Sequence, residues 1–150
     1  MKPLFVLLVA FLVAFLGQKL FLGQYAFPLS GRIAMCAMLF FTAIGHFAFT
    51  KGMAMMIPGK LPFKKEMVYL TGVLEVFLGI GLLFEPTRNY AAWALLLFFI
   101  LMLPANIHAS LKHIDYQKGT LVGPGPDYLW FRIPLQLFFM AWVYWFSIQY

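Results

Sequence analysis

Charge is the scarcest property of this chain. Of 150 residues, 11% are charged, against about 25% in an ordinary soluble domain. A soluble enzyme of this length needs far more polar surface to cover itself. A nucleic-acid module would spread Lys and Arg along a face or an arm, whereas these cations fall in a few short stretches. Cysteine is equally scarce: Cys36 stands alone, so the chain can form neither an intramolecular disulfide nor a Cys-rich metal site. What fills the chain instead is apolar: 63% of residues are hydrophobic and 19% aromatic, under a formal net charge of +6. That is the composition of a membrane protein.

A hydrocarbon core about 30 Å thick takes around 20 apolar helical residues. Five stretches approach that length: Leu4 to Leu22, Arg32 to Phe49, Met67 to Phe84, Tyr90 to Leu111 and Tyr128 to Ile148. Only helices and closed barrels satisfy their backbone polar groups in lipid, and these runs are too long and too little alternating for strands. The expected fold is all-α, a single polytopic membrane helix bundle over residues 1–150. Lys2 followed by an apolar run also describes a signal peptide. No clear small-x-small cleavage site follows, and Gln18 and Lys19 close the run, so a retained helix is expected. With five spans, Lys2, Lys51, Lys60, Lys64, Lys65, Lys112, Lys118 and Arg132 share one side, eight of the eleven Lys and Arg residues. The positive-inside rule then puts the N-terminus in the cytoplasm and the C-terminus outside.

Loop chemistry marks the breaks. Phe27-Pro28-Leu29-Ser30-Gly31 interrupts the chain with Ser30 placed to cap the second helix, and Glu85-Pro86-Thr87-Arg88 reads as a tight turn. Gly123-Pro124-Gly125-Pro126-Asp127 closes the fourth loop. The second loop contains Met53-Ala54-Met55-Met56-Ile57, apolar but too short to span; it lies along the interface or folds back toward the bundle, where flexible Met side chains suit a lid.

An ionisable group inside a membrane helix is by default a functional candidate whose partner must be named. Glu75 is the outlier, near the middle of its segment, where an unpaired carboxylate is heavily penalised. His46, Asn106, Arg132 and Gln136 come from three other helices at a similar depth, and residues three or four apart share a face. Tyr69, Gly72, Glu75 and Gly79 form one stripe, Thr42 and His46 a second, Arg132 and Gln136 a third. The expectation is one polar cavity on the cytoplasmic side, with Arg132 as the charge partner of Glu75. The plain alternative is that these groups hold the bundle together by interhelical hydrogen bonds, with Gly72, Gly79 and Gly81 as close-packing positions. His46 with His108 would suit a haem and His108 with His113 a metal, but neither pair comes with the further ligands such sites use; no metal ligand set and no covalent cofactor are expected.

The ordered set Gly45-His46-Phe47, Leu70-Thr71-Gly72-Val73-Leu74-Glu75, Pro104-Ala105-Asn106 and Arg132-Ile133-Pro134-Leu135-Gln136 resembles the DoxX family of small bacterial membrane proteins. The resemblance covers roughly residues 32–148 and implies a four-helix DoxX-like core, to which residues 4–22 add an N-terminal transmembrane helix. It implies a multi-pass protein of the bacterial inner membrane, linked to membrane redox and sulfur or oxidative-stress systems. A related animal family includes a chaperone for acetylcholine-receptor assembly. His46, Glu75, Asn106, Arg132 and Gln136 are the positions the resemblance carries over.

Two functions follow as expectations. In the first, the protein is a quinone- or lipophile-binding component of a membrane redox system: Glu75, Arg132 and His46 carry the chemistry, and Tyr69, Asn106, Gln136 and Thr42 bind the ligand. No Cys pair or nucleotide fingerprint is visible, so electrons would come from a partner subunit or an external reductant. In the second, it is a non-catalytic membrane assembly or binding protein whose polar core is structural and whose loop from Ile114 to Asp127 docks another membrane protein.

Overall fold

The computed structural model describes residues 2–150. Its elements are six helices: α1 (Lys2–Leu22), α2 (Phe27–Ala48), α3 (Thr50–Met56), α4 (Lys64–Gly81), α5 (Glu85–Leu111) and α6 (Leu129–Val143). A 3₁₀ turn, Pro126–Tyr128, leads into α6, and a π-helical turn, Tyr144–Gln149, continues it. No strand occurs among the described residues. The long helices alternate in direction, α2 packing between α1 and α4 and meeting the end of α6, while α5 lies against α4 and α6. Four segments are long and apolar enough to cross a membrane: α1, α2, α5 and Pro126–Gln149. The fifth expected span, α4, has 18 residues and opens on Lys64, Lys65 and Glu66, with Glu75 midway; its charge, rather than its length, sets it apart.

Helix boundaries moved where proline was read as a breaker. Pro28 and Pro86 each lie in the first turn of a helix, where the missing N–H has no intrahelical partner to lose. So α2 starts at Phe27, and the expected Glu85 to Arg88 turn is the first turn of α5. Ser30 is accordingly not a cap: it is buried inside α2, where its hydroxyl contacts the Ala26 carbonyl at 3.0 Å and Gln18 Oε1 at 3.3 Å.

The core is a seam of Met35, Met38, Leu39, Leu82, Ala92, Leu95, Phe139 and Val143, closed from one side by Leu7 of α1. Phe11 joins α1 to α6 through edge and tilted contacts with Trp142 and Phe146. The outer face of α1 is exposed and largely apolar, including Phe5, Leu12, Val13, Leu20 and Phe21.

The Met-rich segment folds back onto the bundle. Met56 packs with Ala109 and Ile114, and His108 Nδ1 lies 3.0 Å from the Met56 carbonyl, which can only accept, so the ring donates there. Lys64 Nζ donates to the Ile57 carbonyl at 3.0 Å. Gly52 lies where any Cβ would collide with the Tyr116 carbonyl, so the α5–α6 loop seats directly on the α3 backbone.

Small residues let packed apolar helices approach closely. At Gly72 a Cβ would stand 2.8 Å from His46 Cβ. Gly72→Ala is therefore expected to destabilise the bundle by about 1–3 kcal/mol. Gly17→Ala, where a Cβ meets nothing within 4 Å, serves as the control. Thermal unfolding in detergent checks this, and equal melting of the two variants contradicts it.

Candidate functional site

The packing of α2 against α4 contains the candidate site. Thr42 and His46, one turn apart on α2, face Thr71 and Glu75, one turn apart on α4. Gly72 and Gly79 remove the side chains that would hold the helices away, so His46 reaches across to Glu75: Nε2 lies 3.5 Å from Oε1. Thr42 Oγ1 donates to Oε2 of the same carboxylate at 2.9 Å. Glu75 is buried at 6% exposure.

The proton positions follow from the partners. His46 Nδ1 lies 3.0 Å from the Val68 carbonyl and 3.0 Å from Thr71 Oγ1. The carbonyl can only accept, so Nδ1 carries a hydrogen. Thr71 directs its own hydroxyl hydrogen to the Met67 and Val68 carbonyls, at 3.0 and 2.9 Å, leaving its oxygen to accept from the same N–H. With one proton shared between Nε2 and Glu75, two arrangements exist. On the carboxyl it makes a neutral acid beside a neutral imidazole; on the ring it makes a carboxylate beside an imidazolium. Either way the unit has no net charge, which is the form a low-dielectric interior tolerates. Thr42 suits both states, because Oε2, the oxygen away from the ring, accepts its hydroxyl in either; the hydroxyl also lies 3.2 and 3.0 Å from the Met38 and Leu39 carbonyls.

The remaining expected site residues go elsewhere. Arg132 is not the partner of Glu75: its guanidinium lies over the Tyr128 ring, 5.9 Å from the centroid, a cation–π contact within the entry to α6. Asn106 Nδ2 donates to Gln136 Oε1 at 3.2 Å, and Gln136 Nε2 donates to the Phe99 carbonyl. This second cluster ties α5 to α6, the two helices that carry internal prolines, Pro104 and Pro134. No hydrogen bond or ion pair among the described residues joins it to Glu75. Tyr69 leaves the stripe it was assigned to and stacks on Phe47 on the outer face, ring centroids 5.7 Å apart. In place of one polar cavity there are two packed clusters. The grooves by α1, one lined by Leu4, Leu8, Trp130 and Phe138 and the other by Lys2, Phe5, Val6 and Phe41, reach neither of them. His46 and His108 serve different helix pairs, facing Glu75 and Met56 respectively.

Sequence reasoning missed Thr71, although its place one turn before Glu75 marked it. It also missed the ion cluster at the opposite end of the bundle. Arg32, nearly buried, meets Glu85 at 2.9 Å, and Arg88 meets the other carboxylate oxygen at 2.8 Å. The side assignment had already put both arginines together; Glu85 was the one acidic residue next to them.

The sequence model of the family described as Domain of unknown function (DUF8561) matches residues 35–147. The chain belongs to this family. The match begins inside α2, includes both polar clusters and leaves α1 outside it. No curated protein and no solved structure matches the chain.

Nitrogen-15 NMR of labelled histidine tests the proton assignment. His46 is expected to show a protonated Nδ1 in the wild type. In Glu75→Gln it is expected to be the neutral Nδ1–H tautomer, its Nε2 accepting from the amide. A ring protonated on Nε2 alone contradicts the assignment.

Proposed function

We propose that this member of the family is an inner-membrane protein that binds a lipophilic carbonyl compound of the quinone class and exchanges a proton with it through His46 and Glu75. The observation that carries this reading is the pair itself, a buried carboxyl group midway along α4 with the His46 ring 3.5 Å away. Intramembrane ionisable groups mark proton relays and ligand sites far more often than chance. In this proposal α4 completes a five-span topology with the N-terminus and the lysine-rich loops in the cytoplasm. The DoxX-like core is α2, α4, α5 and α6, with α1 as an added helix.

The ligand's ring comes from the lipid side of the α2–α4 seam, where the stacked Phe47 and Tyr69 rings offer a flat apolar face next to His46. Glu75 and His46 pass one proton to a carbonyl oxygen of the ligand for each electron that a partner redox subunit supplies, two of each in all, and the pair takes up a proton from water after each transfer while Thr42 holds Oε2. Asn106 and Gln136 hold α5 to α6 and Arg132 anchors the start of α6.

A second reading has one observation in its favour: Gly72 packs against His46 without a gap, as a purely structural polar contact would. In that reading the protein is a membrane assembly factor and the pair only aligns α2 with α4.

Mass spectrometry of small molecules extracted from the purified protein separates the two. A quinone-class lipophile is expected in the wild type and depleted in Glu75→Gln by about tenfold or more, the loss that goes with one hydrogen bond to a charged group. Nothing bound in either sample, together with a specific co-purifying membrane protein, overturns the first reading in favour of the second.

A further inference from the structure

The lysine-bearing end of the bundle presents rigid apolar tips. Val122 is 88% exposed, Leu121 63%, Phe63 74% and Trp130 85%. These are not slack loops. Leu121 and Val122 lie between two backbone anchors: Asp115 N–H donates to the Thr120 carbonyl at 2.8 Å, and Gly123 N–H donates to the His113 carbonyl at 2.6 Å. Gly119 makes the turn with a φ of 64°, which a residue with a side chain rarely adopts. The loop before Phe63 is tied by the Lys64 bond to the Ile57 carbonyl. Large apolar side chains held outward by fixed backbone point to a surface that is covered in the working state.

The charges around these tips indicate what covers them. Lys2, Lys51, Lys60, Lys64, Lys65, Lys112, Lys118 and Arg132 all belong to this end, because alternate helices start and finish here. Its carboxylates are Glu66, Asp115 and Asp127. One oxygen of Asp115 accepts the Gln117 and Lys118 N–H groups of its own loop at 3.0 and 3.2 Å. The result is a cationic ring with apolar points between the cations, the pattern that seats basic segments on anionic bilayers.

We propose that the α3–α4 and α5–α6 loops form a collar that lies on the anionic leaflet of the protein's own membrane, with Phe63, Leu121, Val122 and Trp130 entering the headgroup–acyl boundary and the lysines holding phospholipid phosphates. The collar rests on the membrane-spanning reading and is independent of the His46–Glu75 chemistry, so either stands if the other fails.

The test uses full-length Val122→Cys carrying a nitroxide label; Cys36 is buried and does not compete for the reagent. The protein is placed in nanodiscs of phosphatidylcholine alone and of phosphatidylcholine with phosphatidylglycerol. In the anionic discs the label is expected to become accessible to oxygen and shielded from a water-soluble nickel relaxant. Lys118→Gln is expected to weaken the preference for phosphatidylglycerol among lipids retained on the wild-type background by about fivefold, the factor for one basic residue near an anionic surface. A label open to nickel in both lipids overturns the proposal. So does a label shielded from both relaxants, which would mean that protein, from a second copy or another chain, covers the tips.

Discussion

The whole arrangement depends on keeping one carboxyl group content in the middle of an apolar helix. Glu75 is tolerated because His46 and Thr42 meet its two carboxyl oxygens. A guanidinium would fix the carboxylate as an ion; an imidazole lets the pair hold one proton and remain neutral in either microstate. That requirement dictates the helix packing around it. His46 reaches Glu75 only where α2 and α4 approach closely, and Gly72 makes the approach possible. The neighbouring Thr42, Thr71 and Val68 carbonyl then hold both side chains in place.

The two ends of the bundle treat charge differently. At the end carrying Glu85, Arg32 and Arg88 converge on one carboxylate and clamp the start of α2 to the start of α5. At the opposite end the cations outnumber their partners and stand among exposed apolar residues, with the short α3 tucked beneath them by His108 and Gly52. A membrane offers a physical reason for this asymmetry, since an anionic leaflet rewards uncompensated lysine and water does not.

Much of this was legible in the residues. Scarce charge and long apolar runs specify an all-helical chain, and the length of each run places the helices to within a few residues. Proline was the weak signal: Pro28 and Pro86 look like breakers but begin helices, because the first turn has no hydrogen bond for them to remove. Glu75, His46 and Thr42 could be selected from depth and helical spacing. Their grouping with Asn106, Gln136 and Arg132 could not be tested that way, since depth fixes position along a helix and leaves open which neighbour each face meets.

Composition and periodicity alone thus establish the helical class, the lysine-rich end and the few polar residues that need partners, because each of these follows from the energetics of burying local stretches of chain. Who pairs with whom is a different kind of fact. That His46 rather than Arg132 meets Glu75, that Asn106 closes on Gln136, and that the methionine segment folds inward come from the packing order of the helices. That order depends on contacts between residues distant in the chain, and no local pattern encodes it.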